Sequence, residues 1–256
     1  MADIRVTVLG SGSAGNSIAV TSGGQTVLLD CGFSARETVR RLDSCGIAAS
    51  GVAAILVSHE HSDHVRGVRV LAKRLEVPVY ASKGTRRAAS LDVLVDDVRE
   101  IGPGDPVSLG GMAITAFSTS HDAADPLGFR FDATDGSSLG VLTDTGELTP
   151  EAHAVLTGCS TLGIECNHDV GMVEAGPYPW FLKRRILSAR GHLSNGAAAD
   201  ALASLTHDTL RRVVGLHLSR TNNTAALALG ALSGALDRLD HAANVGTAAQ
   251  ETACTL

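Results

Sequence analysis

The sequence lacks an apolar run as long as a membrane span requires, and its N-terminus has no basic segment followed by an apolar one. We therefore expect neither a transmembrane helix nor a secretory signal. The five cysteines are scattered along the chain, and an odd number in this arrangement does not suggest a disulfide framework. Such a pattern is typical of reduced thiols and predicts a cytoplasmic location without membrane contact.

An excess of basic residues is also missing, because the formal net charge is −6. That charge argues mildly against a nucleic-acid-binding domain, which is usually basic. Carboxylates that bind metal count toward the acidic total, however, and local patches matter more than the sum. The chain is 44% hydrophobic over 256 residues, which is enough for one well-buried core. Since repeats, low-complexity tracts and linkers are not found, we expect residues 1–256 to form a single domain.

Strand-like runs alternate with turns and helices. Strands are predicted at about 4–9, 17–21, 26–30, 53–58, 78–82, 129–133, 139–143, 161–166 and 211–219. Helices are predicted after Ser34 and at about 65–75, 149–157, 178–188, 194–206 and 223–239. Strand-rich and helix-bearing segments occur once in each half, which predicts two packed sheets with helices outside, a four-layer α/β arrangement. The last dozen residues show little pattern, and a loose C-terminus is one expectation for them.

The segment SHEHSDH, residues 58–64, carries the strongest chemical signal. His59 and His61 lie two positions apart on a loop that leaves a buried strand, so both rings can turn to the same side. Asp63 and His64 follow at the start of a helix and can point to a neighbouring position. Imidazoles with a carboxylate suit zinc, manganese or iron, and the absence of thiolate argues against a purely structural zinc site.

This segment matches the HxHxDH motif of the metallo-β-lactamase superfamily, which the chain resembles over nearly its whole length. The resemblance implies an αββα sandwich and two divalent metal ions, Zn, Mn or Fe. It implies that His59, His61 and His121 hold one metal, that Asp63, His64 and His217 hold the other, and that Asp144 bridges both. Asp30 is implied to orient the histidine loop without touching metal. His121, Asp144 and His217, each taken alone, are more typical of structural or turn residues.

Two metal ions can hold a bridging hydroxide that attacks an ester or phosphodiester, so hydrolysis is expected. A phosphodiester leaving group also gains from a proton donor. His192, oriented by the Glu165 carboxylate, is our candidate donor, and Glu165, His192 and Asp63 form the predicted catalytic group. This pair resembles that of the ribonuclease Z branch. The alternative is that His192 only caps the helix that starts near Ser194.

Substrate contacts are predicted in three places. The segment PYPWFLKRR combines aromatic rings with three cations, which suits base stacking and phosphate contact, although the rings could equally pack inward. The loop GSGSAGN, residues 10–16, could form an anion-binding nest or a simple turn. The predicted substrate-binding residues are Ser13, Asn16, His168, Tyr178, Lys183, Arg184, Arg185, Ser219 and Asn222.

Five segments together resemble the YycJ (WalJ) group of bacterial exonucleases: LGSGSAGN, HEHSDH, SHDAADPLGF, the block between Glu165 and Asn195, and HLSRTNNT. This resemblance implies a metal-dependent 5′-to-3′ exonuclease with DNA as its nucleic-acid substrate. The residues by themselves support only a phosphodiesterase.

Other functions stay open at this point. Within the same fold they are a ribonuclease, a small or cyclic phosphodiesterase and a thioesterase of the glyoxalase II kind. A thioesterase gives no reason for the Glu165–His192 pair. A diiron redox protein or a non-catalytic module is disfavoured, because no predicted ligand is missing and no flavin domain is seen. The sequence leaves open which metal is native, whether the substrate is DNA or RNA, and what the oligomeric state is.

Overall fold

A computed structural model describes residues 4–104 and 106–256 of the protein. Its strands are β1 (Arg5–Gly10), β2 (Ser17–Ser22), β3 (Gln25–Leu29), β4 (Val52–Leu56), β5 (Val79–Ala81), β6 (Val98–Glu100), β7 (Val107–Leu109), β8 (Met112–Ser118), β9 (Leu127–Ala133), β10 (Ser138–Leu142), β11 (Thr161–Glu165), β12 (Arg212–Leu216), β13 (Asn244–Thr247) and β14 (Cys254–Thr255). Its α-helices are α1 (Ala35–Ser44), α2 (Ser62–Val65), α3 (Val68–Leu75), α4 (Lys83–Ala88), α5 (Leu91–Leu94), α6 (Pro150–Leu156), α7 (Val170–Ala175), α8 (Trp180–Ile186), α9 (Asn195–Leu205) and α10 (Ala225–Asp237). Within these described ranges, no helix combines the length and the apolar character needed to cross a membrane.

The strands form two seven-stranded sheets with the same internal plan. The first has the order β14-β1-β2-β3-β4-β5-β6 and the second has the order β13-β12-β11-β10-β9-β8-β7. In each sheet, antiparallel neighbours give way to parallel ones, at β3–β4 in the first and at β10–β11 in the second. The parallel strands of each sheet therefore have their carboxyl ends at one edge, where side chains from successive loops can meet.

Apolar side chains are buried on both faces of each sheet. In β1, Val6 and Val8 pack in a cluster that also contains Phe129 and Val214 of the second sheet, whereas Leu9 packs outward among α1 and α3. This alternation follows from the two-residue period of a strand. A third cluster joins the second sheet to α6, α9 and α10. The layers are thus helix, sheet, sheet and helix, and the predicted four-layer αββα sandwich is confirmed.

Two segments differ from the sequence pattern. The helix expected over 65–75 is interrupted after Val65, where α2 ends, and continues as α3 from Val68. Gly67 lies between the two helices, so close to the Phe33 carbonyl oxygen that a side chain would overlap it. The end of the chain contains a short strand that the sequence pattern did not predict, as β14 pairs with β1 and places Cys254 opposite Val8. The Gln250 amide nitrogen, just before β14, donates to the carbonyl oxygen of Gly15 at 2.7 Å. Short strands such as β14 lack the alternation that makes a strand visible in a sequence.

Candidate metal centre and active-site cavity

The predicted site residues lie at or just beyond the ends of strands from both sheets. Asp30 follows β3, His59 and His61 follow β4, and Asp144 and His217 follow β10 and β12. Asp30, Asp144 and His217 have positive φ angles of 61°, 54° and 54°. A non-glycine residue pays about 1–3 kcal/mol for this conformation, and such strain tends to concentrate at functional sites. At each of these three residues the backbone turns sharply where the strand ends, which directs the side chain into the space between the sheets.

His59, His61 and His121 form the first cluster. Their ring nitrogens lie within 4.8 Å of one another. The His59 Nε2 atom is 3.0 Å from the His61 Nδ1 atom, and the latter is 3.4 Å from the His121 Nε2 atom. Ligands of a tetrahedral zinc ion at 2.0–2.1 Å are separated by roughly 3.3 Å. The spacing of the three nitrogens therefore suits a single divalent ion.

Asp63, His64 and His217 form the second cluster. The Asp63 Oδ2 atom lies 3.5 Å from the His64 Nε2 atom and 3.6 Å from the His217 Nε2 atom. Asp144 lies between the clusters, because its carboxylate is within 4.8 Å of ligand atoms on both His59 and His64. Close approach of backbones holds Asp63 there, since a Cβ atom at Gly32 would overlap the Asp63 carbonyl oxygen.

Hydrogen bonds on the far side of each ring fix its orientation. The Asp30 carboxylate accepts from the His64 Nδ1 atom at 2.8 Å and from the Ser58 backbone and hydroxyl at 2.8 and 2.9 Å. The Gly191 carbonyl oxygen accepts from the His121 Nδ1 atom at 3.0 Å. The Nε2 atoms of both histidines lie toward the centre, and a hydrogen bond at the opposite ring nitrogen is the usual support for metal-ligating imidazoles.

The donor set and its electrostatics fit divalent metal ions. The His217 Nε2 atom is buried and has no hydrogen-bond partner among the residues that the structure describes, although such a group is costly to leave unpaired. Burial lowers the pKa of His59 well below its usual value, so this ring is neutral. Burial also opposes charge on His217, but Asp144, Asp63 and Glu165 outweigh it and raise the pKa to about 10. The negative charge of these carboxylates therefore favours a positive charge at this position, and a bound cation can supply it.

Glu165 joins the second cluster to His192. Its Oε1 atom accepts from the His192 Nδ1 atom at 2.7 Å and from the His217 Nδ1 atom at 3.0 Å. Its Oε2 atom accepts from the backbone N–H groups of Thr145 and Leu193 at 3.0 and 3.2 Å. Burial raises the pKa of this carboxyl, but the charge and hydrogen bonds of the histidines outweigh it and lower the pKa to about 2. Glu165 is therefore an anion that orients both rings, and its contact with His217 was not expected from the sequence.

His192 stands at the boundary between this centre and solvent. Its side chain is 21% exposed, whereas that of Glu165 is fully buried. Burial lowers the pKa of His192, but the Glu165 charge and hydrogen bond raise it above its usual value. A protonated imidazole with its Nδ1 atom fixed by a carboxylate can give a proton from Nε2. The helix cap that begins α9 is made by the Ser194 hydroxyl, so His192 is not needed for that purpose.

A cavity of about 210 Å³ opens beside His192. Four of the predicted substrate contacts line it, namely Ser13, Tyr178, Arg185 and Ser219. A larger groove of about 870 Å³ lies at the opposite ends of β11 and β12, beside Thr161 and Arg212. None of the predicted site residues lines that groove, so the smaller cavity is the candidate active-site cavity.

The other five predicted substrate contacts are placed elsewhere. Asn16 and Asn222 are buried, and the Asn16 amide donates to the Asp63 carboxylate at 3.2 Å, which makes it a support for that side chain. His168 is 1% exposed, and its buried Nδ1 atom has no partner. The Lys183 amine donates to the Glu174 carbonyl oxygen, while Arg184 lies over Trp180. These side chains do not line the cavity.

The loop at residues 10–16 does not provide the open nest of N–H groups that its glycines allow. The N–H groups of Gly12 and Ala14 donate to the side-chain oxygens of Asn16 and Gln250 at 2.8 and 2.9 Å. The N–H groups of Ser11, Gly15 and Asn16 donate to backbone carbonyl oxygens. Since these donors are used within the protein, the loop acts as a support for the second cluster.

Asp122 is a cavity residue that the sequence reasoning missed. Its carboxylate forms an ion pair with Arg185, and its Oδ1 atom lies 3.3 Å from the His121 Nε2 atom. That Oδ1 atom is buried without a hydrogen-bond partner. The only available signal was its position next to a candidate ligand in SHDA, and the ion pair became visible only in the folded chain.

Comparison with known proteins identifies the superfamily to which the chain belongs. A family model described as the beta-lactamase superfamily domain matches residues 25–218. The chain belongs to this superfamily, and the two sheets and the histidine clusters have the arrangement expected for its metal-dependent members. YhfI from Bacillus subtilis, a metallo-beta-lactamase fold protein of known crystal structure, superimposes with a TM-score of 0.75 at 18% identity, covering 99% of both chains. At that identity the likeness establishes the fold.

Sequence comparison narrows the family further. Exodeoxyribonuclease YycJ of Bacillus anthracis is 36% identical over 237 residues, which cover 91% of this chain and 89% of that protein. Exodeoxyribonuclease WalJ of Streptococcus pneumoniae strain D39 is 34% identical over 231 residues, which cover 88% and 85%. The chain belongs to the YycJ/WalJ family of enzymes, which confirms the resemblance found in the motifs.

Proposed function

We propose that this protein is a metal-dependent phosphodiesterase that removes nucleotides from the 5′ end of DNA. The observation that carries the proposal is the arrangement of two ligand clusters that share Asp144 beside a Glu165–His192 pair at a cavity wall. The names of the YycJ and WalJ relatives support deoxyribonuclease activity. We further propose that residues 1–256 act as one domain and that the enzyme works in the cytoplasm, because its five cysteines are free.

We assign one metal ion to His59, His61 and His121 and the other to Asp63, His64 and His217, with Asp144 between them. Two divalent ions at these positions supply an activated water and positive charge that stabilises the reacting phosphate. Zinc, manganese and iron all accept such ligands. Asp30 and Glu165 hold the rings of His64 and His217 in the orientation that exposes their Nε2 atoms.

The remaining residues act on the substrate side. His192 donates a proton from its Nε2 atom to the leaving oxygen and is held for this by Glu165. Arg185 at the cavity wall binds a phosphate oxygen in place of Asp122, since a guanidinium pairs with phosphate as readily as with carboxylate. Ser13, Tyr178 and Ser219 line the same space and are suited to phosphate or sugar contacts.

The test uses purified protein with its metal content measured and then reloaded with zinc, manganese or iron. Substrates are 5′-phosphorylated duplex DNA, single-stranded DNA, RNA, a chromogenic phosphodiester and a thioester. We expect release of nucleotides from 5′-labelled duplex DNA and loss of this activity with a chelator. Preferred cleavage of RNA indicates a ribonuclease, and cleavage of the thioester alone contradicts the proposal.

A further inference from the structure

Helix α8 carries an exposed aromatic surface on residues that do not line the cavity. Trp180 is 67% exposed and Phe181 is 64% exposed. Among the protein's other aromatic residues, Tyr178 is half-buried and the rest are buried, namely Phe33, Tyr80, Phe117, Phe129 and Phe131. Rings of this size bury 150–250 Å² in a protein core, so two adjacent rings left in solvent indicate a binding surface.

Positive charge accompanies these rings. The Arg184 guanidinium lies over the Trp180 ring, 5.5 Å from its centroid, which is within the range of a cation–π contact. We name Trp180, Phe181 and Arg184 the α8 ridge. The stretch 176–190 contains four cations and no acidic residue, although the chain as a whole has a net charge of −6. A polyanion with flat apolar groups is the ligand that matches this combination.

The ridge is continuous with the active-site cavity. Leu182, Arg185 and Ile186 of the same helix line that cavity, so α8 forms one of its walls, and the ridge residues lie on the same helix outside the cavity lining. A helix with its side chains is about 10–12 Å across. Stacked nucleotides rise about 3.4 Å each along a strand, so roughly three nucleotides span the wall.

We propose that the α8 ridge binds a single-stranded segment of the nucleic-acid substrate about three nucleotides from the reacting phosphate. The bases stack on Trp180 and Phe181, and Arg184 contacts the phosphate between them. This inference rests on the proposed function, because it takes the occupant of the cavity to be a polynucleotide. It adds a binding surface outside the cavity, and it distinguishes polynucleotides from small phosphodiesters, which do not reach across the helix.

The test measures binding of the metal-loaded protein to a short fluorescent single strand with phosphorothioate linkages, which resist cleavage during the titration. Trp180→Ala and Phe181→Ala are each expected to weaken binding by about 5-fold to 150-fold, the range for loss of one base–aromatic stack. Trp180→Phe keeps a flat ring and should retain most of the affinity. Trp180→Leu keeps an apolar side chain without a π-face and should behave as Trp180→Ala. Val93→Ala, at a position 85% exposed on α5, is the matched surface control.

Each outcome bears on one of the two proposals. Affinity that falls in the Ala and Leu variants and returns in the Phe variant supports stacking. Affinity unchanged in all variants overturns the ridge, and so does full affinity in Trp180→Leu. Self-association that Trp180→Ala abolishes while DNA affinity stays the same assigns the surface to a second copy of the chain and also overturns it. Failure of the wild-type protein to hydrolyse any phosphodiester instead contradicts the proposed function, and thermal melting of each variant verifies its fold.

Discussion

Replacing Glu165 by Gln removes a negative charge from a fully buried position while keeping the shape of the side chain. The carboxylate accepts four hydrogen bonds, two at each oxygen. A glutamine has one acceptor oxygen and one NH₂ group, so two of the four donors must then face another donor. The change therefore forces a rearrangement of protons with little change in packing.

The two histidines have to make that rearrangement. The backbone N–H groups of Thr145 and Leu193 cannot move their hydrogens, and each would cost about 1–3 kcal/mol if left unpaired. An imidazole can give up its Nδ1 proton and keep the one on Nε2 at a smaller cost. We therefore expect the Gln NH₂ group to face His192 and His217, and both rings to be neutral with their single proton on Nε2. In His217 this proton occupies the atom that we assign to the second metal ion.

Two effects of known size follow. Loss of a group that orients a metal ligand typically lowers metal affinity about 10-fold to 100-fold. Loss of an oriented general acid lowers turnover about 100-fold to 10,000-fold. Metal affinity is measured by competition with a chromogenic chelator, and kcat is measured on DNA at saturating metal. Glu165→Gln should show both effects, with the kcat deficit persisting at saturating metal.

His192→Ala is the matched control, since it removes the proton donor and leaves the Glu165–His217 hydrogen bond in place. It should reproduce the loss of kcat and keep the wild-type metal affinity. If Glu165→Gln binds both metal ions as tightly as the wild type, then Glu165 does not orient His217 and our account of the second cluster is wrong. If His192→Ala has full activity, His192 has no part in proton transfer.

Three further predictions concern the cavity wall, the fold and the thiols. Arg185→Ala should weaken DNA binding and reduce the slope of log affinity against log salt by about 0.7–0.9, which corresponds to the loss of one phosphate contact. Arg74→Ala, at an exposed position, is the control and should leave the slope unchanged. If the Arg185→Ala slope equals that of the wild type, the Arg185 side chain lies outside the interface. Arg41→Ala should lower the free energy of unfolding in urea by roughly 2–4 kcal/mol, because this buried guanidinium donates to carbonyl oxygens of β1 and of the C-terminal segment. Hydrogen exchange should rise first in β14. An unaltered unfolding midpoint would contradict the structural role of Arg41. Only Cys45 and Cys254 should react quickly with a maleimide in the native protein, because both are partly exposed whereas the other three thiols are buried. Burial raises the pKa of those three thiols and also that of Cys254, so exposure is what distinguishes the two groups, and mass spectrometry that finds all five alkylated at once would refute the prediction.

Local patterns were sufficient for the layers and for most of the candidate metal ligands. Runs rich in apolar residues, buried on both faces, made β1 and β4 recognisable, and SHEHSDH placed four ligand-type side chains within one loop and helix start. The distant members, His121, Asp144 and His217, could be assigned only because their order matched a known family. Their individual contexts are ordinary turns, and no local rule distinguishes them from structural residues.

The predicted substrate contacts lie in different places in the structure, because a polar residue near a motif can face in several directions. Asn16 and Asn222 are turned inward, whereas Ser13 and Ser219, from the same loops, line the cavity. Asp122 was missed because its partner Arg185 is far away in sequence. The aromatic rings of α8 were undecided between inward packing and exposure, and the structure exposes Trp180 and Phe181.

The sequence by itself determined the identity of the ligand-type side chains, the apolar runs that are buried in both sheets, and the membership of the family, since these depend on residue types and their order. Only the tertiary structure decided which groups share a proton or a charge: that Glu165 serves two histidines, that Arg185 faces Asp122, and that the C-terminal segment holds the loop at 10–16. Such contacts join residues that are distant in sequence. The strength of these contacts varies steeply with the distance between the groups and with the exclusion of water from them. Both the distance and the degree of burial are set only when the two sheets pack together.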